Sequence, residues 1–416
     1  MDLPGIPAPL LKALGRVGAD AGSGSAAGPV ALVGGAVRDL LLHRVHNDPW
    51  RGLPDLDLVV EGQAAEWVAG LVAALVAQFG PGVLQRCQEH GVYGTVELEL
   101  SLAGEPVLLD VATARRETYP VPAENPQVSF GSLADDLARR DFSINAMALE
   151  LASGSLLDPH GGRQDLERRQ LRLLHGASVR DDPTRLVRAA RYAARLGFDL
   201  APASAQQAAT TLAAWPWTWR LGDPPGLAPA ALGTRLRMEL ELLLEREPWW
   251  AALRALQGWG ALVLLDPALQ ADRTWPRRLR WAQRLGLPPL AALVAGASDP
   301  LALAERLQLP HHQHRLLVQW LALRRRIAEQ LQPSPLAVQD WCALLEQPGC
   351  PAEAVALALA CGSGPRRPLL RWWLRWRHIQ SERRAADLLA EGLRPGPALG
   401  QRLRELRAER LRLERL

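Results

Sequence analysis

Val30–Val33 is a short apolar run that stops at Gly34-Gly35, the pattern of a buried strand turning into a helix over Ala36–Leu42. A polar, proline-containing insertion follows (His43–Pro54), and the alternation Asp55-Leu56-Asp57-Leu58-Val59-Val60 then predicts a second strand. Residues 64–78 suit a helix, and Thr95–Leu100 and Val107–Ala112 read as further strands. Beyond Asp165 strand patterns largely vanish. Leu/Ala/Arg-rich helical segments run to the end, broken by Pro and Gly at Trp215–Pro229, Pro288–Pro289, Pro333–Pro335 and Pro348–Pro351. No fixed-period repeat stands out. The pattern predicts one α/β head followed by a long all-helical body, after an N-terminal stretch that runs into a Gly/Ser/Ala tether.

A chain of 416 residues exceeds one ordinary domain, and 48% apolar with 22% charged residues excludes wholesale disorder. The net charge is only +4, so charge balance says little about partners. The kind of base says more. Lys12 is the only lysine and arginine supplies the rest. Arginine suits bidentate phosphate contacts, although a GC-rich genome produces the same bias. Cys87, Cys342, Cys350 and Cys361 form no CxxC pair and read as reduced core thiols of an intracellular protein. The N-terminus lacks a signal pattern, and the apolar stretch around Trp67–Gln78 is too short for a bilayer. A cytoplasmic, soluble protein with no membrane partner is expected; nothing in the pattern specifies an oligomeric state.

Asp55 and Asp57 stand two apart, so on a strand both carboxylates project from one face. Such a pair repels itself unless a cation lies between, and hard Mg²⁺ prefers oxygen ligands together with substrate phosphates. On its own the pair is a weak signal, since acidic pairs are common at strand ends. Its neighbour strengthens it. Gly34 and Gly35 place backbone N–H groups at a strand-to-helix turn where a phosphate can approach, and Arg38 adds a fork for the same anion. The bland alternative is a glycine turn with a surface arginine. A dinucleotide site is disfavoured because GxGxxG is absent.

The string LVGGAVRDLLLHR followed by DLDLVV resembles the first signature of the class II tRNA nucleotidyltransferase/poly(A) polymerase family, polymerase-β-like nucleotidyltransferases. Asp110–Tyr119 resembles the strand leading into that family's flexible loop, and Arg139–Ala146 is similar to its RRDFTxNA signature. Leu157–Gly162 with Asp165-Leu166 resembles DPxxGxxDL, and Asp181–Arg191 resembles the EDPxRxxRxxR helix. The matches are dense over residues 30–200 and scattered beyond. The resemblance implies an α/β head of polymerase-β-like type, a small mixed sheet with helices, over 29–160, then an all-α neck 161–225, body 226–330 and tail 331–416, after an N-terminal extension 1–28.

The resemblance implies a template-independent nucleotidyl transfer in which Asp55 and Asp57 hold two metal ions, Mg²⁺ as cofactor, with Asp110 as candidate third catalytic carboxylate; a strand-end cap is the alternative for Asp110. It implies that Gly34, Gly35, Arg38, Arg140, Arg188 and Arg191 bind the incoming nucleotide, and that Asp182 and Arg185 read its base edge. The chemistry suits that pairing: a carboxylate accepts from the exocyclic amine shared by C and A, and a guanidinium donates to a ring nitrogen or carbonyl. The partners implied are tRNA, CTP and ATP, and the function is addition or repair of the 3′-terminal CCA. Poly(A) polymerase, CC-only or A-only addition, and an inactive RNA-binding homologue are the alternatives.

Two departures stand out. The insertion lengthens the link from Arg38 to Asp55, and the family's loop phenylalanine is Ala114. His311, His312 and His314 have no acidic partner in sequence and read as surface residues, and no His-Asp dipeptide marks a phosphohydrolase domain. In Arg366–Arg384, Arg371, Arg375 and Arg377 are candidate RNA contacts, while Trp372, Trp373 and Trp376 read more readily as core.

Overall fold

A computed structural model of the chain describes residues 8–21, 28–50, 56–91, 94–102, 104–330 and 336–415. Asp55 lies outside the described residues. The chain divides into two compact units: Met1–Thr218 with Pro229–Ala231 and Glu247–Trp259, and Trp219–Ala228 with Leu232–Arg246 and Gly260–Leu416.

The first unit runs α1 (Ala8–Ala21), β1 (Val30–Val33), α2 (Gly35–His46), β2 (Leu56–Val60), α3 (Ala64–Phe79), β3 (Leu84–His90), β4 (Thr95–Leu102), β5 (Glu105–Thr113), β6 (Arg115–Thr118), β7 (Gln127–Phe130), α4 (Leu133–Ala138), β8 (Ala148–Glu150), β9 (Leu156–Leu157), α5 (Gly162–Glu167), β10 (Gln170–Leu171), α6 (Ser178–Asp181), α7 (Thr184–Leu196), β11 (Asp199–Leu200) and α8 (Pro202–Ala214). Seven strands form one mixed sheet in the order β3-β4-β5-β2-β1-β8-β9. Only β2 and β5 pair in parallel within it. All four residues of β1 are buried, as a central strand requires.

Local chemistry explains the flanking elements. Helix α3 buries Ala64, Trp67, Val68, Leu71 and Leu75, an i, i+3, i+4 stripe, and its first N–H bonds the Thr113 hydroxyl at 3.1 Å. Helix α4 opens with a capping box between Ser132 and Asp135. It lays Leu133 and Leu137 on Ala31, Val33 and Val59, in a cluster that includes Ala114. Helix α7 ends at Gly197 in the left-handed conformation, φ 71°.

The sequence pattern anticipates β1, β2, β4, β5, α2 and α3. It misses β3 and the β6–β7 hairpin, whose segments LQRCQEH, RRET and QVSF carry no buried alternation. The second unit is helical, its longest helix spanning His311–Gln330, with His311 and His312 exposed at the start. Trp372 and Trp376 are buried there, whereas Cys87, expected in the core, is exposed. Among the described residues no helix is long and apolar enough to cross a membrane.

Gly162 begins α5 against the backbone of the segment before β8. A Cβ there would collide with the Ser143 carbonyl oxygen and stand 2.8 Å from Met147 Cγ and Sδ. Because a backbone oxygen cannot swing aside, Gly162→Ala is expected to destabilise the first unit by about 2 kcal/mol, read as a lower urea midpoint at unchanged m-value.

Candidate active site

The parallel pairing of β2 and β5 sets Asp57 directly beside Asp110 as register partners, so both carboxylates leave the same face of the sheet. Asp57 is exposed and Asp110 half-buried, in a sheet whose flanking residues Leu56, Leu58, Leu109 and Val111 are buried. Gly34, at φ 70°, closes the approach from β1: a Cβ on it would lie 3.0 Å from Arg140 Nη1 and 3.5 Å from Asp57 Oδ2. The glycine therefore satisfies both a left-handed turn and a close convergence of Arg140 with Asp57. Gly35 has the same relation to Arg38, whose Nη2 would be 3.4 Å from its Cβ.

Arg140 is held in that position by a carboxylate. Asp136, with its side chain fully buried on α4, accepts from Arg140 Nη2 at 2.9 Å through one oxygen and from Arg139 Nη2 at 2.7 Å through the other. Burial pushes the Asp136 carboxyl up, but the two guanidinium groups outweigh it and hold it below the ordinary range. Arg139 also donates to Glu117 Oε1 at 3.0 Å, and Glu117 receives the Tyr119 hydroxyl at 3.1 Å. The β6–β7 hairpin is thereby tied to the same point.

Beyond Arg140 the chain turns through Asp141–Asn145. Asn145 bridges two elements, accepting from Arg38 Nη1 at 2.8 Å and donating to Asp141 Oδ1 at 3.0 Å. Asp141 takes Arg188 of α7 through its other oxygen, at 2.8 Å from Nε. Burial again opposes ionisation, and Arg188, Asn145 and Arg185 together keep the carboxyl below its usual value. Burial also works against the charge on Arg38, yet Asp39 at 2.8 Å reverses the balance and raises its pKa.

Asp182 and Arg185 are both buried, at 5% and 4% exposure. Asp182 Oδ1 accepts from the Thr184 amide at 3.1 Å and its hydroxyl at 2.6 Å, which fixes the carboxylate at the entrance of α7. Arg185 donates to the Arg139 carbonyl at 3.2 Å. The structure thus ties Arg38, Arg185 and Arg188 to the segment Arg139–Asn145, sets Gly34 against Arg140 and Asp57 and Gly35 against Arg38, places Asp110 beside Asp57, and holds Asp182 at the start of α7. Arg191 turns to another acid: its Nε lies 3.4 Å from Glu247 Oε1, beside Arg195. Of the tail candidates, Arg375 pairs with Glu414 at 2.8 Å, Arg371 reaches the Arg415 carbonyl, and Arg377 covers the Trp373 ring at 3.8 Å.

Asp136 was not legible as a site residue, although its spacing from Arg139 and Arg140 (i, i+3 and i, i+4) was available. Asp141, Asn145 and Glu117 carried no signal beyond their motif strings. The insertion after Arg38 is anchored at its start: Asp48 pairs with Arg169 at 2.6 Å, and the His43 and Trp50 rings lie 5.4 Å apart.

For a cation, the donor set is the relevant test. Asp57 and Asp110 offer carboxylate oxygens side by side at an open strand position, the hard ligands that a divalent ion with phosphate partners prefers, so the residues fit. Among the described residues no cluster of three or more His, Cys, Asp or Glu forms a metal centre.

Residues 30–172 match a family model described as the poly A polymerase head domain. The chain is 40% identical over 309 residues to a CC-adding tRNA nucleotidyltransferase of Deinococcus radiodurans, covering 71% of this chain and 72% of that protein. It is 32% identical over 421 residues to a CC-adding tRNA nucleotidyltransferase of Geobacter sulfurreducens, covering 91% and 86%. Among solved structures, an apo form of a CCA-adding enzyme superposes with a TM-score of 0.69 at 25% identity, over 98% of this chain and 93% of that one.

Removing the buried carboxylate that two partly buried arginines share leaves Arg140 without its carboxylate and Arg139 with Glu117 alone. Asp136→Ala is expected to cost about 3 kcal/mol in chemical denaturation. Because the folded-state pKa values of Asp136 and Asp141 are depressed, their stabilisation is complete above the unfolded carboxyl value of about 4 and is lost as pH falls through the lower folded values. The urea midpoint is therefore expected to hold at neutral pH and to drop below about pH 4, less steeply in Asp136→Asn.

Proposed function

Since the chain belongs to the class II tRNA nucleotidyltransferase/poly(A) polymerase family, we propose that it builds or repairs the 3′-terminal CCA of tRNA from CTP and ATP, without a nucleic-acid template. Membership implies nucleotidyl transfer dependent on a divalent metal, and we assign magnesium to Asp55, Asp57 and Asp110. The observation that carries the reading is the register of Asp57 with Asp110 beside Gly34 and Arg140. When bound, the metal stabilises charge on the attacking and departing oxygens.

The remaining work falls to this chain's own groups. Backbone N–H groups at Gly34-Gly35 and the guanidinium of Arg140 bind the triphosphate close to the carboxylates. Arg38 and Arg188, each braced by a carboxylate and linked through Asn145 and Asp141, orient the nucleotide between the strand edge and α7. Asp182 accepts from the exocyclic amine of C or A, and Arg185 donates to the neighbouring ring acceptor. Arg191, in its ion pair with Glu247, supports α7 and adds positive potential. In the tail, Arg371, Arg375 and Arg377 contact RNA phosphates; the Arg375 pair is exposed, so it costs little to exchange.

A second reading has its own support. The CC-adding relatives of Deinococcus radiodurans and Geobacter sulfurreducens, matched over 72% and 86% of their length, favour addition that stops after two cytidines. Transcripts ending before CCA, before CA and before A, each offered CTP and ATP separately, decide between the two. Incorporation of C, C and A supports CCA addition. Acceptance of CTP with refusal of ATP on the CC-ended transcript supports CC addition, long A tails a poly(A) polymerase, and RNA binding without incorporation an inactive homologue.

Asp57→Ala is expected to abolish incorporation, by at least about 1,000-fold in kcat, with the fold unchanged by circular dichroism. Asp182→Ala and Arg185→Ala are expected to retain transfer while losing about tenfold or more of the discrimination against UTP and GTP in kcat/KM.

A further inference from the structure

The arginines of the site differ in what holds them. Arg38 grips Asp39, Arg139 and Arg140 divide Asp136, Arg188 takes Asp141, and Arg191 faces Glu247. Arg185 is the exception. Its guanidinium is buried, yet its hydrogen bonds go to two neutral acceptors: the Arg139 carbonyl at 3.2 Å and Nε2 of His175 at 3.3 Å. Among the described residues no carboxylate pairs with it at ion-pair distance.

His175 sits on an anchored turn. Its amide bonds Ser178 Oγ at 3.3 Å, its carbonyl receives the Ser178 amide at 3.1 Å, and Gln207 of α8 donates to the carbonyls of both His175 and Gly176, at 3.0 and 2.7 Å. The turn is held from two elements, so the ring is a fixed platform and not a passing contact. The segment leading into it is joined to the Arg139–Asn145 hub: Ser143 donates to the Arg172 carbonyl at 3.0 Å, and Phe142 forms a bridge with Leu173.

A carboxylate at the place of this imidazole would also hold Arg185, but it would neutralise the charge and occupy the fork that must meet a base. A neutral acceptor holds the group and leaves its charge uncompensated at that contact. We propose that His175 is a positioning residue for nucleotide selection: its neutral ring, protonated on Nδ1, accepts from Arg185 through Nε2 and aims the guanidinium at the base without quenching it. The inference rests on the assignment of Arg185 as a base reader.

The charged groups facing the ring are Arg185 on α7 and Asp181 on α6; α8 presents the Gln207 amide to the backbone. Burial and Arg185 hold the imidazole below the ordinary histidine range, against a weaker pull from Asp181, so the accepting form prevails at neutral pH. Protonation would remove the acceptor and set a second cation against Arg185.

The test uses the full chain with a tRNA transcript ending before CCA, and reads KM for CTP, kcat, and the ratio of kcat/KM for CTP over UTP. In His175→Ala the ratio is expected to fall about tenfold, with KM rising more than kcat falls. His175→Gln, which supplies a neutral amide oxygen as acceptor, is expected to recover most of the ratio. His175→Glu is expected to be no better than Ala, since it holds Arg185 but neutralises it. The wild-type ratio is expected to decline from pH 7.5 to 5.5, and the Gln variant's ratio to stay flat. If all three variants, shown folded by thermal melting, keep the wild-type ratio while Arg185→Ala loses it, the role of His175 is overturned and that of Arg185 stands. If Arg185→Ala itself keeps the ratio, the base-reading assignment falls and this inference with it. A Gln variant as poor as Ala, with the same pH dependence, would equally refute the acceptor role.

Discussion

One buried carboxylate organises the active half of this chain. Asp136 gives one oxygen to Arg139 and the other to Arg140, two consecutive residues whose side chains would otherwise be free to diverge. An isolated buried carboxylate would sit several kcal/mol above its hydrated state, and an isolated buried guanidinium likewise. The buried Asp136 and the two partly buried guanidinium groups satisfy one another, provided that their geometry is fixed. The consequence reaches both ends of the site. Arg140 is delivered to Gly34 and Asp57, while Arg139 presents its carbonyl to Arg185 and its side chain to Glu117 on the hairpin. The phosphate side and the base side are thus set by two consecutive residues, and neither can shift without the other.

The sheet supplies the other constraint. A strand order in which β5 inserts beside β2 makes the single parallel pairing of the sheet, and that pairing is what brings Asp110 level with Asp57. Had the two strands run antiparallel, the carboxylates could still have met, but the chain would have left β2 and β5 at opposite ends. As built, the residues after β2 and β5 leave at the same edge, where Thr113 caps α3 and Ala114 packs under α4. The Gly34 turn then needs no side chain, because Arg140 and Asp57 already occupy the space one would take.

How much of this could be read in advance depended on whether the signal was local. The strands β1, β2, β4 and β5 carry alternation or continuous apolar runs, and α3 a buried stripe, so their existence followed from periodicity. The register of Asp57 with Asp110 did not: it joins residues 53 positions apart, and no local pattern encodes which strands become neighbours. The edge strand β3 and the hairpin were illegible for another reason, since their residues are largely exposed and need not alternate. The motif arginines were visible as residues, but their division of labour was not. That Arg188 and Arg191, three apart on one helix, turn to different acids, Asp141 and Glu247, is a property of what α7 packs against. His175 was invisible because a lone histidine before a helix has many ordinary uses.

The near-absence of lysine has two different meanings in the one chain. On exposed helices an arginine such as Arg325, paired with Glu329 four residues on and largely in water, contributes what a lysine would, and there the choice is compositional. At the active site it is not. Arg139 and Arg140 meet Asp136 with two nitrogens each and still spend a third, on Glu117 and on the Asn145 carbonyl, a geometry that a single ammonium cannot reproduce. Arg38 similarly spans Asp39 and Asn145. The planar fork is what lets one side chain be held by the protein and remain directed at a ligand. Where the fork is held by a neutral acceptor, as at Arg185, its charge is left uncompensated at that contact.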